Sequence, residues 1–305
     1  MITTQLPPVS SRTLGRTSYR FRNTITGYAF ISPFILYFAV FLLAPMVMSF
    51  VISFTEWDMR SPATFVGLDN YANLLFDSTK YPDFWPSLGI TLKYVLMSVP
   101  IGLIVALIVS AMLNSNIKGE GFFKTAYYIP NVTAIVAVAA MWIFMLDPRF
   151  GIANKIFGTN ISFLGNPDTA LPSLAAMAVW GSLGYNILIL LSAMKGIDES
   201  LYEAAELDGA NAFQRFKVVT LPGIQPVIFF LLITAIIGGF QAFDQMFLMT
   251  SGGPNGATMT YLLSLYNHAF RYFEMGTASA MSYILLIVIL IVTWLGFKLV
   301  PQQRD

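Results

Sequence analysis

The residues that could carry chemistry in this chain are concentrated in Glu203-Ala204-Ala205-Glu206-Leu207-Asp208-Gly209, followed after nine residues by Val219-Thr220-Leu221-Pro222. Three carboxylates within six positions can recognise or repel a partner, but nothing nearby makes them catalytic. Cysteine is absent, which excludes disulfides, thiolate catalysis and Cys-ligated metal, and His268 is the single histidine. Neither G-x-S-x-G nor H-E-x-x-H occurs, and no G-x-x-x-x-G-K-[ST] cradle is present for a nucleotide phosphate. Work driven by ATP would therefore have to come through another polypeptide. The stretch is a polar, helix-competent island of about 195–223 between two apolar segments, so it must meet water and something else.

The elements that position it follow from composition. Of 305 residues, 56% are hydrophobic and 11% charged, with mean hydropathy +0.67; this is too much apolar surface for one soluble core. A net charge of +1 leaves no cationic stripe for nucleic acid. About twenty apolar residues are needed to cross a bilayer, and six stretches qualify: Tyr28–Phe54, Leu88–Leu113, Ile129–Leu146, Pro172–Met194, Ile224–Phe243 and Ala278–Leu299. Pro45 and Pro100 fall inside the first two and predict kinks. The first stretch is too long, and lacks a cleavage site, for a removed signal.

Charge sets the orientation. With the N-terminus inside, eleven basic residues face the cytoplasm (Arg12, Arg16, Arg20, Arg22, Lys118, Lys124, Lys195, Arg215, Lys217, Lys298, Arg304) and six face outward (Arg60, Lys80, Lys93, Arg149, Lys155, Arg271). Both termini and the island then lie in the cytoplasm. Lys93 is expected to snorkel at the outer end of the second span, and His268 to be a polar surface residue. Residues 1–27 read as a cytoplasmic leader, disordered over Met1–Arg22, and 28–305 as the membrane domain. Thr55–Ser87 and Asp147–Leu171 hold turn-formers and read as ordered loops or short helices. Tyr71 and Trp85 fit an interfacial aromatic belt.

Within the island, Ser200 and Glu203 have the spacing of a capping box that starts a helix at Leu201, and Gly209 can close it in the left-handed conformation. Asn211 can cap a second short helix through Phe213 and Phe216, stopped by Pro222. Ala204 and Ala205 keep the first helix narrow, so a groove on a soluble partner could approach its backbone. The same residues also allow a hairpin lying on lipid headgroups, with Phe213 and Phe216 dipped into the bilayer.

Glu203-Ala204-Ala205, then Gly209, then Leu221-Pro222, resembles the EAA loop of permease subunits of binding-protein-dependent ABC importers. Val219 stands where isoleucine is usual. Phe65-Val66-Gly67-Leu68-Asp69-Asn70-Tyr71, Gly184-Tyr185-Asn186, Thr250-Ser251-Gly252-Gly253-Pro254, and Tyr266, Phe270, Gly276 and Ala278 resemble the carbohydrate branch of that family. The resemblance covers the chain from about Tyr28 to its end. It implies an all-α integral membrane protein with six transmembrane helices, the type I importer permease fold, in a bacterial cytoplasmic (inner) membrane. It further implies a second, homologous permease subunit, two ABC ATPase subunits and an extracytoplasmic sugar-binding protein. This chain would hold no cofactor; ATP and Mg would be bound by the partner ATPase. Glu203, Ala204, Ala205, Asp208, Gly209, Phe213, Leu221 and Pro222 would form the coupling helix region that fits a cleft on the ATPase.

A sugar pathway needs hydrogen-bonding groups that do not hold cargo too tightly. Trp180, Leu183, Gly184 and Ile187 share one face of the fourth span at i, i+3, i+4, i+7 spacing, and the family's sugar-lining face falls on them. Gly239 and Ala242, with Ala235, mark the facing side of the fifth span, and Gln241, Asp244 and Gln245 its outer end. Asn186 and Gln241 are the polar candidates for cargo contact. The same small residues also suit close helix packing. The Gly252–Gly256 turn could meet the binding protein. Two other classes stand beside the importer: an ion-coupled secondary transporter, opposed by the shortage of carboxylates in the spans, and a scaffold whose island recruits a soluble partner without moving solute.

Overall fold

The computed structural model describes residues 16–115 and 119–299, so most of the expected leader, and Arg12, Lys118 and Arg304 of the charge count, lie outside the described residues, while Arg16–Arg22, expected to be disordered, are helical. The chain divides into two units between Ile52 and Ser53. In the first, α1 (Arg16–Phe38) passes through a π turn, Ala39–Leu43, into α2 (Ala44–Ile52). Together they carry a 27-residue apolar span, Thr26–Ile52. At about 1.5 Å per residue this is about 40 Å of helix, enough for about 30 Å of hydrocarbon. The widened turn, closed by the Ala44 N–H on the Ala39 carbonyl, stands immediately before Pro45. Pro45 has no N–H to return to Phe41, and the extra residue accommodates that gap where a kink was expected. Apolar side chains lie exposed around this span, as suits a helix solvated by lipid.

The second unit opens with a two-residue ribbon, β1 (Thr55–Glu56) antiparallel to β2 (Thr64–Phe65), with Thr55 opposite Phe65. Asp58 holds the turn between them. Its carboxylate accepts from the Ser61 hydroxyl and from the Ser61 and Arg60 backbone N–H groups at 2.6, 2.7 and 2.9 Å, which together pull its pKa down to about 2. In α3 (Asp69–Phe76), the Asn70 amide donates to the carbonyls of both Ser53 and Thr55 at 2.9 Å, and the Tyr71 hydroxyl to Ser53 Oγ at 2.7 Å. The Phe65–Tyr71 motif thus clamps the chain where it leaves the first span.

Three further helices are long and apolar enough to cross a membrane: α4 (Phe84–Leu113), the helix Pro167–Lys195, and Met275–Lys298 within the last helix. They begin three to five residues earlier than hydropathy alone places them. In the second of them a polar cap extends the helix beyond the apolar run: Asn166 Oδ1 accepts from the Asp168 N–H at 3.0 Å, with Pro167 at the first helical position. Buried hydroxyls in α4 satisfy themselves locally, Thr91, Ser98 and Ser110 donating to carbonyls four residues back at 2.8, 2.8 and 2.7 Å.

The third expected span, Ile129–Leu146, is not one helix. It lies across a 101° bend between two helices, α5 (Glu120–Val132) and α6 (Ile135–Met145). Pro130 has no N–H to return to Ala126, and Thr133 and Ala134 are extended, with ψ of 137° and 131°. The Thr133 hydroxyl donates to the Ile129 carbonyl at 2.8 Å, replacing backbone bonding lost at the break. Pro130, the second residue of the stretch, is the sequence sign of this corner, and hydropathy alone does not read it. After α7 (Ile152–Phe157), α8 (Pro167–Lys195) packs on both α4 and α5.

The fifth span is a 16-residue helix, Gln225–Phe240, about 24 Å long, and the helix before it meets it at 67°. The sixth, Met275–Leu299, packs against Tyr261–Phe270. His268 in that shorter helix is buried, not a surface residue. Its Nδ1 lies 2.7 Å from Glu274 Oε2 and its ring stands edge-on to Tyr81 and Tyr272. A carboxylate and two aromatic faces make burial of the imidazole affordable, which composition could not reveal.

The Asn70 clamp predicts that Asn70→Ala costs about 1–3 kcal/mol, since two carbonyls lose their donor. A lowered melting temperature in detergent checks this; an unchanged one would show that the clamp bears no load.

Candidate coupling element and transport groove

The island folds into two short arms. The first, α9 (Glu199–Leu207), begins two residues earlier than a Ser200–Glu203 box would place it. The cap is Asp198, whose carboxylate accepts from the Ser200 N–H at 2.9 Å. That hydrogen bond, with the Ser200 hydroxyl, holds the Asp198 pKa below its ordinary value, so the cap is intact at neutral pH and fades only as pH falls through the lowered pKa. A carboxylate at a helix N-terminus also meets the positive end of the dipole, an advantage a Ser cap lacks. Gly209 closes the arm at φ +79°. The Ala210 N–H reaches the Ala205 carbonyl at 3.0 Å and the Gly209 N–H the Glu206 carbonyl at 2.9 Å, a Schellman ending that Gly makes without strain.

The second arm, α10 (Ala212–Arg215), starts with the expected Asn211 cap. Asn211 and Gln214 form a reciprocal box, with bonds of 2.8 and 3.0 Å. Pro222 does not stop the arm. The helix continues through a π segment, Phe216–Thr220, into α11 (Leu221–Gly223), and breaks at Ile224 before α12 (Gln225–Phe240). A π turn just upstream tolerates the missing Pro222 N–H, as it does before Pro45. Arg215 Nη1 joins Glu206 Oε2 at 2.6 Å across the arms, and the Tyr202 hydroxyl meets Thr220 Oγ1 at 2.9 Å.

Glu203, Ala204, Asp208, Gly209 and Phe213 are exposed together, Leu221 less so, while Ala205 and Pro222 are half-buried. Leu207, 90% exposed, and Val218, 68% exposed, join Phe213 as bare apolar knobs. Leu207 and Val218 went unnoticed in the sequence because a single apolar residue in a polar helix carries no periodic signal. Phe216 packs onto the core that contains Leu190, Met194 and Ile224, so it is not free to enter lipid.

A groove of about 390 Å³ opens between α4, α8, α12 and the turn after α12. It brings together five of the expected pathway residues, Asn186, Gly239, Gln241, Ala242 and Asp244, with Tyr94, Ser98, Ser182, Tyr185 and Thr234. Gln245, which begins the short helix α13 (Asp244–Met249) with Asp244, donates to the Tyr94 hydroxyl. The other four expected residues are elsewhere. Trp180 stands edge-on to Trp142 at 6.0 Å, in a cluster with Val138, Ala139 and Met177. Leu183 and Ile187 are buried in the core around Leu190. At Gly184 a Cβ would come within 2.4 Å of the Tyr127 carbonyl oxygen, so the position serves the contact between α5 and α8. The helical face read from spacing is real, but Trp180 and Gly184 on it turn toward α6 and α5, and Leu183 and Ile187 into the core shared with α4. The groove takes the adjacent face, through Ser182, Tyr185 and Asn186. Lys93 lines a separate cavity of about 580 Å³ with Asp83 and Asp168, whose rim includes Asn255 and Gly256. Among the described residues, no group of three or more His, Cys, Asp or Glu side chains could hold a metal.

Residues 98–305 match the family model described as binding-protein-dependent transport system inner membrane component. The chain belongs to this family. It is 39% identical to the probable ABC transporter permease protein YesP of Bacillus subtilis, covering 91% of each chain. It is 34% identical to the lactose transport system permease protein LacF of Rhizobium radiobacter, over 96% of this chain and 99% of the relative. Among solved structures, a bacterial ABC transporter that imports the acidic polysaccharide alginate matches with TM-score 0.81 at 22% identity, over 93% of this chain and 98% of that one. At that identity the match speaks for the fold, which is that of an ABC importer permease. The family read from the EAA-like stretch is therefore correct, and the permease is a multi-pass inner-membrane component that does not itself carry the ATPase.

The packing of the permease predicts that Gly184→Ala destabilises by about 1–3 kcal/mol through overpacking against Tyr127. Gly181→Ala, with open space around its Cβ, should be near neutral; equal melting temperatures for the two would contradict the assignment.

Proposed function

We propose that this permease is one transmembrane half of an ATP-driven sugar importer, with both termini and the island at 195–223 in the cytoplasm. The cargo class is supported by the relatives: lactose for LacF, trehalose and maltose for MalF of Thermococcus litoralis, and arabinooligosaccharides for AraP of Bacillus subtilis are named as transported. A second permease completes the pathway, two ATPase subunits dock below, and a sugar-binding protein delivers cargo from outside.

The observation that carries this reading is the island's form. It is capped at both ends of α9 and at the start of α10, cross-linked between its arms, and yet displays bare Leu207, Phe213 and Val218 beside Glu203 and Asp208. Apolar knobs with a charged rim suit a cleft on a soluble protein better than an anionic lipid surface. Closure of an ATPase dimer around ATP would draw the docked islands together and swing α12, to which each island is joined, opening the permease outward; hydrolysis would return it. A stiff island transmits such a displacement, whereas a loose loop would absorb it.

The groove is the proposed half-pathway. Its volume lies in the range of small-molecule sites, about 300–1,000 Å³. Amides and hydroxyls from Asn186, Gln241, Ser98 and Thr234 can exchange hydrogen bonds with sugar hydroxyls, and Tyr185 offers an aromatic face to sugar C–H groups. Gly239 and Ala242 keep the wall low. Trp180, Leu183, Gly184 and Ile187 then act by holding α8 in place rather than by touching cargo.

Uptake of lactose, maltose or glycerol 3-phosphate by the assembled importer tests the reading. Gly209→Asp and Glu203→Lys should abolish uptake and co-purification of the ATPase while leaving membrane insertion intact; native uptake in both would remove the coupling assignment. Asn186→Ala and Gln241→Ala should change the relative KM among the three solutes by about tenfold, the worth of roughly one well-placed hydrogen bond to cargo. Unchanged preference in both would place the pathway elsewhere.

A further inference from the structure

We propose that Tyr202 and Thr220 are a positioning pair that stiffens the joint between the island and the fifth span, so that displacement of α9 reaches α12 instead of bending the chain. The inference rests on the coupling reading above and names the residues that make it mechanical.

The arm Ala212–Gly223 meets α12 at 67°, and just before this corner it is at its weakest. Phe216–Thr220 is a π segment, with poorer hydrogen-bond geometry than an α-helix, and Pro222 supplies no N–H to the carbonyls behind it. A load applied at α9 would fold the arm there. Tyr202 reaches that point from α9. Its hydroxyl lies 2.9 Å from Thr220 Oγ1, spanning eighteen residues of chain. Thr220 is 5% exposed, so its end of the bond is out of water, where losing Tyr202 leaves a buried hydroxyl without this partner. The neighbouring ion pair Arg215–Glu206 is 30% and 70% exposed at its side chains and adds little on its own.

Beyond the joint, the path is continuous. Ile224, fully buried, follows α11 and belongs to one core cluster with Ile187, Leu190, Met194 and Leu231. Ile197 lies against Gly223, where a Cβ would be 2.9 Å from its Cδ1. Closely packed side chains deform little. Among the described residues between α9 and the base of α12, the soft π segment is thus where the Tyr202–Thr220 contact sets the stiffness.

The chain contains no cysteine, so a cysteine pair at exposed Leu201 and Phe230 places spin labels on α9 and α12 alone. In the importer assembled with its ATPase, the native background should give a single narrow distance distribution, unchanged by ATP. Tyr202→Phe and Thr220→Val should each broaden it. Each should also lower import per ATP hydrolysed, for whichever of the three test solutes is taken up, by about fivefold, the factor one such hydrogen bond carries. Co-purifying ATPase should stay at the native amount, the double variant should be no worse than either single one, and Thr220→Ser, which keeps the hydroxyl, should behave as native. Narrow distributions in both single variants, or additive losses in the double, overturn the brace. Absence of ATPase from the native assembly would instead refute the docking reading beneath it.

Discussion

Within a bilayer, a backbone N–H or C=O that leaves its helix finds no water, so each break in a span has to recover its hydrogen bonds from the chain itself. This constraint organises the molecule. At Pro45 the helix widens into a π turn and continues. At the corner between α5 and α6 the Thr133 hydroxyl takes up the Ile129 carbonyl. Along α4, buried serines and threonines return their protons to their own helix. The irregular positions are therefore anchored points at which direction changes.

Those changes of direction lead to the two places of functional interest. The corner at Thr133 lets α5 lie against α8, which fixes Gly184 as a contact and turns the neighbouring face of α8 toward the groove. The corner at Ile224 sets the island at 67° to α12. Between these corners lies the core around Leu190, Met194 and Ile224, so groove and island share one packed body. A transport protein needs that union: a pathway that changes access must be moved by something rigidly joined to it.

The island at 195–223 was largely legible in the sequence, because caps and a left-handed glycine are local signals. Asn211 and Gly209 take their expected places. The first cap was misplaced by two residues, since Asp198 and Ser200 are both competent and the charge of Asp198 decides between them. The groove was half legible. Asn186, Gly239, Gln241, Ala242 and Asp244 line it, while Trp180, Leu183, Gly184 and Ile187 do not. Periodicity identifies residues that share a face of α8, but two adjacent faces of an apolar helix look alike, and only the packing of α4, α5 and α6 around it distinguishes them.

The amino-acid sequence by itself determined that the chain lives in a membrane, that it has the family's apolar segments and polar island, and where the island's turns fall. These follow from composition and from bonds between residues a few positions apart. The tertiary structure alone decided that the third segment bends at Thr133, that His268 is buried against Glu274, which side of α8 meets the groove, and that Tyr202 reaches Thr220. Each depends on which surfaces meet across long stretches of chain, and such meetings are set by the packing of whole helices rather than by local propensity.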